Sequence, residues 1–86
     1  MAQPTLGGSV IQVGANGRIV TVEVRNNPGD VAISAGYRFA IYRGSDYKGE
    51  AVVTGTNANF AFCRVTKLKD GQAVQVGDNA STNLDN

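Results

Sequence analysis

The chain has no histidine, no tryptophan and a single cysteine, and only 17% of its 86 residues are charged. Without histidine it lacks the commonest general base, the usual activator of a nucleophile and the most frequent ligand of transition metals. One cysteine, Cys63, excludes an intramolecular disulfide, so no covalent staple supports the fold. Cys63 also has no histidine with which to form a thiolate pair. It lies in an apolar stretch, where burial raises a thiol pKa, and reads as a small core residue. The formal net charge of +1 gives no strong pull toward a polyanion and little repulsion between copies. No run approaches the roughly 18 apolar residues that cross a bilayer as a helix. Met1-Ala2-Gln3-Pro4-Thr5-Leu6 has neither the basic nor the apolar region of a signal peptide.

Catalytic and ligand-binding patterns are missing too. The eleven glycines include no G-x-x-x-x-G-K-[ST] and no G-x-G-x-x-G, so no phosphate-binding loop is indicated. Asp30, Asp46, Asp70 and Asp78 fall in turns, where a short carboxylate bonds nearby backbone amides. None belongs to a D-x-D-x-D calcium loop, and nothing in the spacing pairs two carboxylates for glycoside chemistry. The sequence thus points to no enzyme, no cofactor and no metal. A carbohydrate-binding module would need an exposed aromatic platform, and the lack of tryptophan weighs against it.

What is present is a β pattern. A hydrophobic content of 42% suffices for one folded core and argues against disorder, and 86 residues leave room for one domain. A chain this short buries only roughly 60% of its unfolded surface, so its stability margin is modest. The hydrophobic period is two almost everywhere, and no window shows a helical stripe. Residues 10–13 predict a first strand, followed by Asn16-Gly17, a hairpin signal because both residues tolerate positive φ. In residues 18–25, Val20, Val22 and Val24 alternate with Ile19, Thr21, Glu23 and Arg25. Asn26-Asn27-Pro28-Gly29-Asp30 is a turn cluster, and residues 31–36 read as a tight connection with room for one helical turn.

A third strand, residues 37–43, puts Tyr37, Phe39 and Ile41 on one face, and Gly44-Ser45-Asp46 reverses the chain. A fourth, residues 47–56, puts Ala51 and Val53 inward, with Lys48, Glu50, Val52 and Thr54 outward; Gly49 within it suggests a bulge. Residues 60–67 and 79–82 complete the set. Two segments echo each other: Ile33-Ser34-Ala35-Gly36 and Val74-Gln75-Val76-Gly77 each read apolar, polar, apolar, Gly before a strand. Positive φ at the glycine would swing the chain from loop to sheet; reuse of a corner explains this more simply than duplication. The expected fold class is all-β, a small five- to six-stranded, mostly antiparallel barrel or strongly curled sheet. Residues 1–7 read as a flexible lead, 8–82 as the domain and 83–86 as a frayed end.

Two surfaces could bind a partner. Both faces of Phe60-Ala61-Phe62-Cys63-Arg64-Val65 are apolar. If the small residues Ala61, Cys63 and Val65 fill a tight interior, Phe60, Phe62 and Arg64 lie outside, joined by Ile19, Val52 and Tyr42; the reverse assignment puts both rings in the core and Ala61 outside. That patch would suit a protein partner or self-association. The alternative is single-stranded nucleic acid held by Tyr42, Arg43 and Arg64, through stacking and phosphate contacts. The near-neutral charge and the core positions of Tyr37 and Phe39 count against it.

The run Ala35-Gly36-Tyr37-Arg38-Phe39-Ala40-Ile41-Tyr42-Arg43, then Tyr47-Lys48-Gly49-Glu50-Ala51-Val52-Val53 and Val74-Gln75-Val76-Gly77-Asp78, resembles a known module. It is similar to a short β module that closes many bacterial envelope and coiled-coil proteins, such as the C-terminal domain of flagellar assembly protein T. The resemblance spans roughly residues 10–82. It implies a non-catalytic attachment or oligomer-contact domain, cut from a longer exported chain of the cell envelope or periplasm, with Met1 as an added start. Phe60 and Phe62 depart from the pattern, which carries more polar residues there, and so point to a partner specific to this chain.

Overall fold

The computed structural model describes residues 6–27 and 32–82. Among them are six strands: β1 (Gly7–Gly14), β2 (Ile19–Asn26), β3 (Arg38–Arg43), β4 (Asp46–Asn57), β5 (Phe60–Leu68) and β6 (Asn79–Thr82). All pairings are antiparallel, and the order β1-β2-β5-β4-β3-β6 closes on itself where β6 meets β1. The all-β barrel expected from the period-two pattern is therefore present. Closure gives every strand a neighbour on both sides.

The inward alternation supplies the core. Val20, Val22 and Val24 of β2, Phe39 and Ile41 of β3, Ala51 and Val53 of β4, and Ala61 and Cys63 of β5 are all buried. The turns follow local chemistry. Asn16 (φ 60) and Gly17 (φ 83) take the left-handed conformation that the β1–β2 connection requires. Gly44 (φ 61) does the same in the two-residue turn of the β3–β4 hairpin.

The repeated corner has a common geometry. Tyr37 N donates to Ser34 O at 3.3 Å, and Asp78 N donates to Gln75 O at 3.1 Å, each closing a four-residue turn. Gly36 (φ 100) and Gly77 (φ 97) occupy the third position, where positive φ favours glycine. Both corners also dock in the same way on a neighbouring strand. Gly36 N bonds Val53 O while Val53 N bonds Tyr37 O; Gly77 N bonds Val10 O while Val10 N bonds Asp78 O. The two halves of the echo thus lead into β3 and β6 by equivalent routes.

Four expectations need correction. The first strand is longer than residues 10–13, because Gly7 to Ser9 also pair with β6. Leu6, assigned to a flexible lead, is fully buried, and its backbone bonds Thr82 at 3.0 and 2.9 Å. Burying a leucine contributes about 2 kcal/mol, enough to fix that residue against the barrel. The helical turn allowed at 31–35 does not appear in residues 32–35, which hold only the start of the Ala35-Gly36 turn. Residues 1–5, 28–31 and 83–86, including most of the lead, part of the turn cluster and the frayed end, lie outside the described residues.

The fourth correction concerns Lys48, expected outward and found 5% exposed. In the β3–β4 ladder Ile41 pairs with Gly49 and Tyr42 with Tyr47, so Lys48 is the extra residue of a bulge. The bulge resets the alternation: Tyr47 turns out and Lys48 turns in. Its neighbour must be glycine, because a Cβ at Gly49 would run into the carbonyl oxygen of Lys67 on β5.

Candidate contact face

β5 presents small residues inward and large ones outward. Ala61 and Cys63 are fully buried, Phe62 is 40% exposed, Phe60 is half-buried and Arg64 is exposed. Steric economy explains the choice, since Phe39, Ile41 and the valines already fill the narrow interior. Register then assembles rows across the outer surface of β2, β5 and β4. Ile19, Arg64 and Val52 form one row, Thr21, Phe62 and Gly55 the next, and Glu23, Phe60 and Asn57 a third. Five of the residues predicted for the contact face, Ile19, Val52, Phe60, Phe62 and Arg64, share this surface.

The face has relief. Ile19 is 43% exposed, whereas Thr21, opposite Phe62, is only 9% exposed. On the other side of Phe62, a Cβ at Gly55 would meet nothing within 4 Å, so the surface there is open. The Arg64 side chain makes no hydrogen bond or ion pair among the described residues. Glu23 meets Arg25 through Oε1 at 3.0 Å, an exposed pair of little energetic weight.

The residues considered for nucleic acid are not gathered together. Tyr42 packs edge-on against Tyr47, ring centroids 5.6 Å apart, at the β3–β4 hairpin end. Arg64 instead lies in register with Val52, itself paired with Arg38 at the opposite end of β3. Arg43 is committed elsewhere: its Nε lies 2.7 Å from Asp78 Oδ1, and its Nη2 donates to Gln75 Oε1 at 3.2 Å.

Asp78 is the polar residue that the turn reading undervalued. It is fully buried and accepts from Lys48 Nζ at 2.9 Å and from Gln75 N at 2.8 Å. Arg43 faces Oδ1 as an ion pair without hydrogen-bond alignment. Lys48 Nζ also donates to Ala73 O at 2.8 Å. Removing a carboxylate from water costs several kcal/mol, which two cations and an amide offset here. The cluster therefore ties the β4 bulge and the end of β3 to the corner preceding β6. The Asp of the Val76-Gly77-Asp78 corner was a signal for it, but its partner was hidden by the bulge.

Other chemistry is sparse. Burial pushes the Cys63 thiol up to about 12, so it stays protonated and a poor nucleophile at neutral pH. A depression of about 300 Å³ between the β1–β2 turn and the end of β5 is lined by Arg18, Lys67 and Leu68 among others, with no carboxylate or thiol. No cluster of three His, Cys, Asp or Glu side chains is placed to hold a metal among the described residues, and no helix among them is long and apolar enough to cross a membrane. Comparison with models of known families, with curated proteins and with solved structures finds no match.

Proposed function

We propose that this barrel is a non-catalytic protein-contact module that works through the outer face of β2, β5 and β4. The observation that supports this is Phe62, a large apolar ring left 40% exposed between Thr21 and Gly55, one row from Ile19, Arg64 and Val52. Aromatic and arginine side chains dominate protein interfaces, and Arg64 supplies the cation next to the ring. The resemblance noted above suggests an assembly role in a longer bacterial envelope chain. The residues that carry it, such as Gly36, Phe39, Ile41, Gly49 and Asp78, build the barrel; the contact residues Phe60 and Phe62 are this chain's own.

The test uses the protein as its cell makes it, with and without Phe62→Asp, on native gels of gentle extracts. The wild type should migrate as a complex that the substitution releases. Identical migration of the two, with the variant folded by circular dichroism, would refute the contact.

A further inference from the structure

We infer that the occupant of this face is a second copy of the same chain, docked with the two β5 strands antiparallel. This rests on the reading of the face as a protein contact and adds the partner and its orientation.

The face carries both signs of charge in positions that one two-fold axis can join. Along β5 the outward residues run Phe60, Phe62, Arg64; along the neighbouring β2 they run Glu23, Thr21, Ile19 at matching levels. Consider an axis between two facing sheets, perpendicular to β5 at the level of Phe62. It places Phe62 against Phe62, and Ile19 opposite Glu23 of the second copy. Ile19 is the register neighbour of Arg64. Strands lie about 5 Å apart, so Arg64 comes within reach of that Glu23. Arg25 holds Oε1 of Glu23, while Oε2 has no partner among the described residues. The pair forms twice across the axis, as an isologous contact requires.

A face-to-face two-fold whose axis instead runs along β5 stacks Arg64 on Arg64. Like charges brought together in a desolvated contact are costly, so the antiparallel arrangement is selected. Gly55, the register neighbour of Phe62, carries no side chain and has open space above it, so nothing on that side blocks the facing ring. A net charge of +1 opposes association little. The surface involved is only three strands wide, which places the dimer in the small, transient class of interfaces.

Sedimentation equilibrium over a micromolar to millimolar series, with circular dichroism to confirm folding, tests the arrangement. The wild type should show a monomer–dimer equilibrium that Phe62→Asp abolishes. Arg64→Glu and Glu23→Arg should each weaken dimerisation by about tenfold or more. The double variant, which restores opposite charges across the axis, should recover most of the loss. A wild type that stays monomeric throughout overturns self-association while leaving contact with another protein open to the native-gel test. Dimers that ignore both charge reversals, or a double variant weaker than either single, overturn the antiparallel docking.

Discussion

Lys48 Nζ lies 2.9 Å from Asp78 Oδ2, and the two side chains are 6% and 0% exposed. This ion pair joins a bulge in β4 to the corner that starts β6, where the barrel closes. Removing the carboxylate would leave a buried ammonium with only the Ala73 carbonyl as partner. Asp78→Ala should therefore lower unfolding free energy by about 3–5 kcal/mol. Arg43→Ala strips Asp78 Oδ1 of its one cation but leaves Lys48 and the Gln75 amide on Oδ2, so it should cost less, about 1–3 kcal/mol. Urea denaturation of both variants checks this; equal losses would mean that the cluster does not depend on the buried pair.

The bulge itself depends on Gly49. A Cβ there collides with the backbone of Lys67, which belongs to a paired strand and cannot swing aside. Gly49→Ala should cost at least 2 kcal/mol, in the range of overpacked sites. Gly55 offers the control: it has open space and no positive φ, so Gly55→Ala should be neutral or stabilising by a few tenths of a kcal/mol. Thermal melts that rank the two the other way would contradict the close approach of β4 and β5.

These cases show how much could be read without coordinates. The alternation of Val20, Val22 and Val24 was legible, because it depends on a period of two; the facing of β5 was not, because both of its faces are apolar and the small size of Ala61 and Cys63 only leaned toward outward rings. The matching corners at Gly36 and Gly77 were legible too, since positive φ leaves a glycine in the sequence. Lys48 was misassigned because alternation counts positions from a strand end, and one extra residue reverses every assignment beyond it. Gly49 announced a bulge but not which neighbour would be the extra one; the register on β3 decides that. Asp78 looked like an ordinary turn aspartate because its partners Lys48 and Arg43 lie 30 and 35 residues away in the chain.

The Cys63 thiol carries a pH dependence. Burial raises it from the ordinary 9.0 to about 12 in the folded barrel. The folded state therefore holds its proton more tightly than the unfolded chain, and the associated stability is complete below about pH 9. It is lost as pH rises through the folded value, at up to about 1.4 kcal/mol per unit for this group. The stability difference between wild type and Cys63→Ala, measured by denaturant titration, should be constant at neutral pH and shift against the wild type above pH 9. A difference independent of pH up to 11 would show that the thiol titrates normally. Native protein should also react with a thiol reagent only as fast as it opens.

A photoreactive benzophenone side chain in place of Phe62 tests the contact face most directly, because it keeps an exposed aromatic ring where one already stands. Irradiation of the cells that make the protein should give polypeptide adducts from position 62. The same side chain at Tyr47, a comparably exposed ring at the β3–β4 hairpin end, should give few or none. An absence of adducts from position 62, or equal yields from both positions, would contradict a protein-binding role for this face.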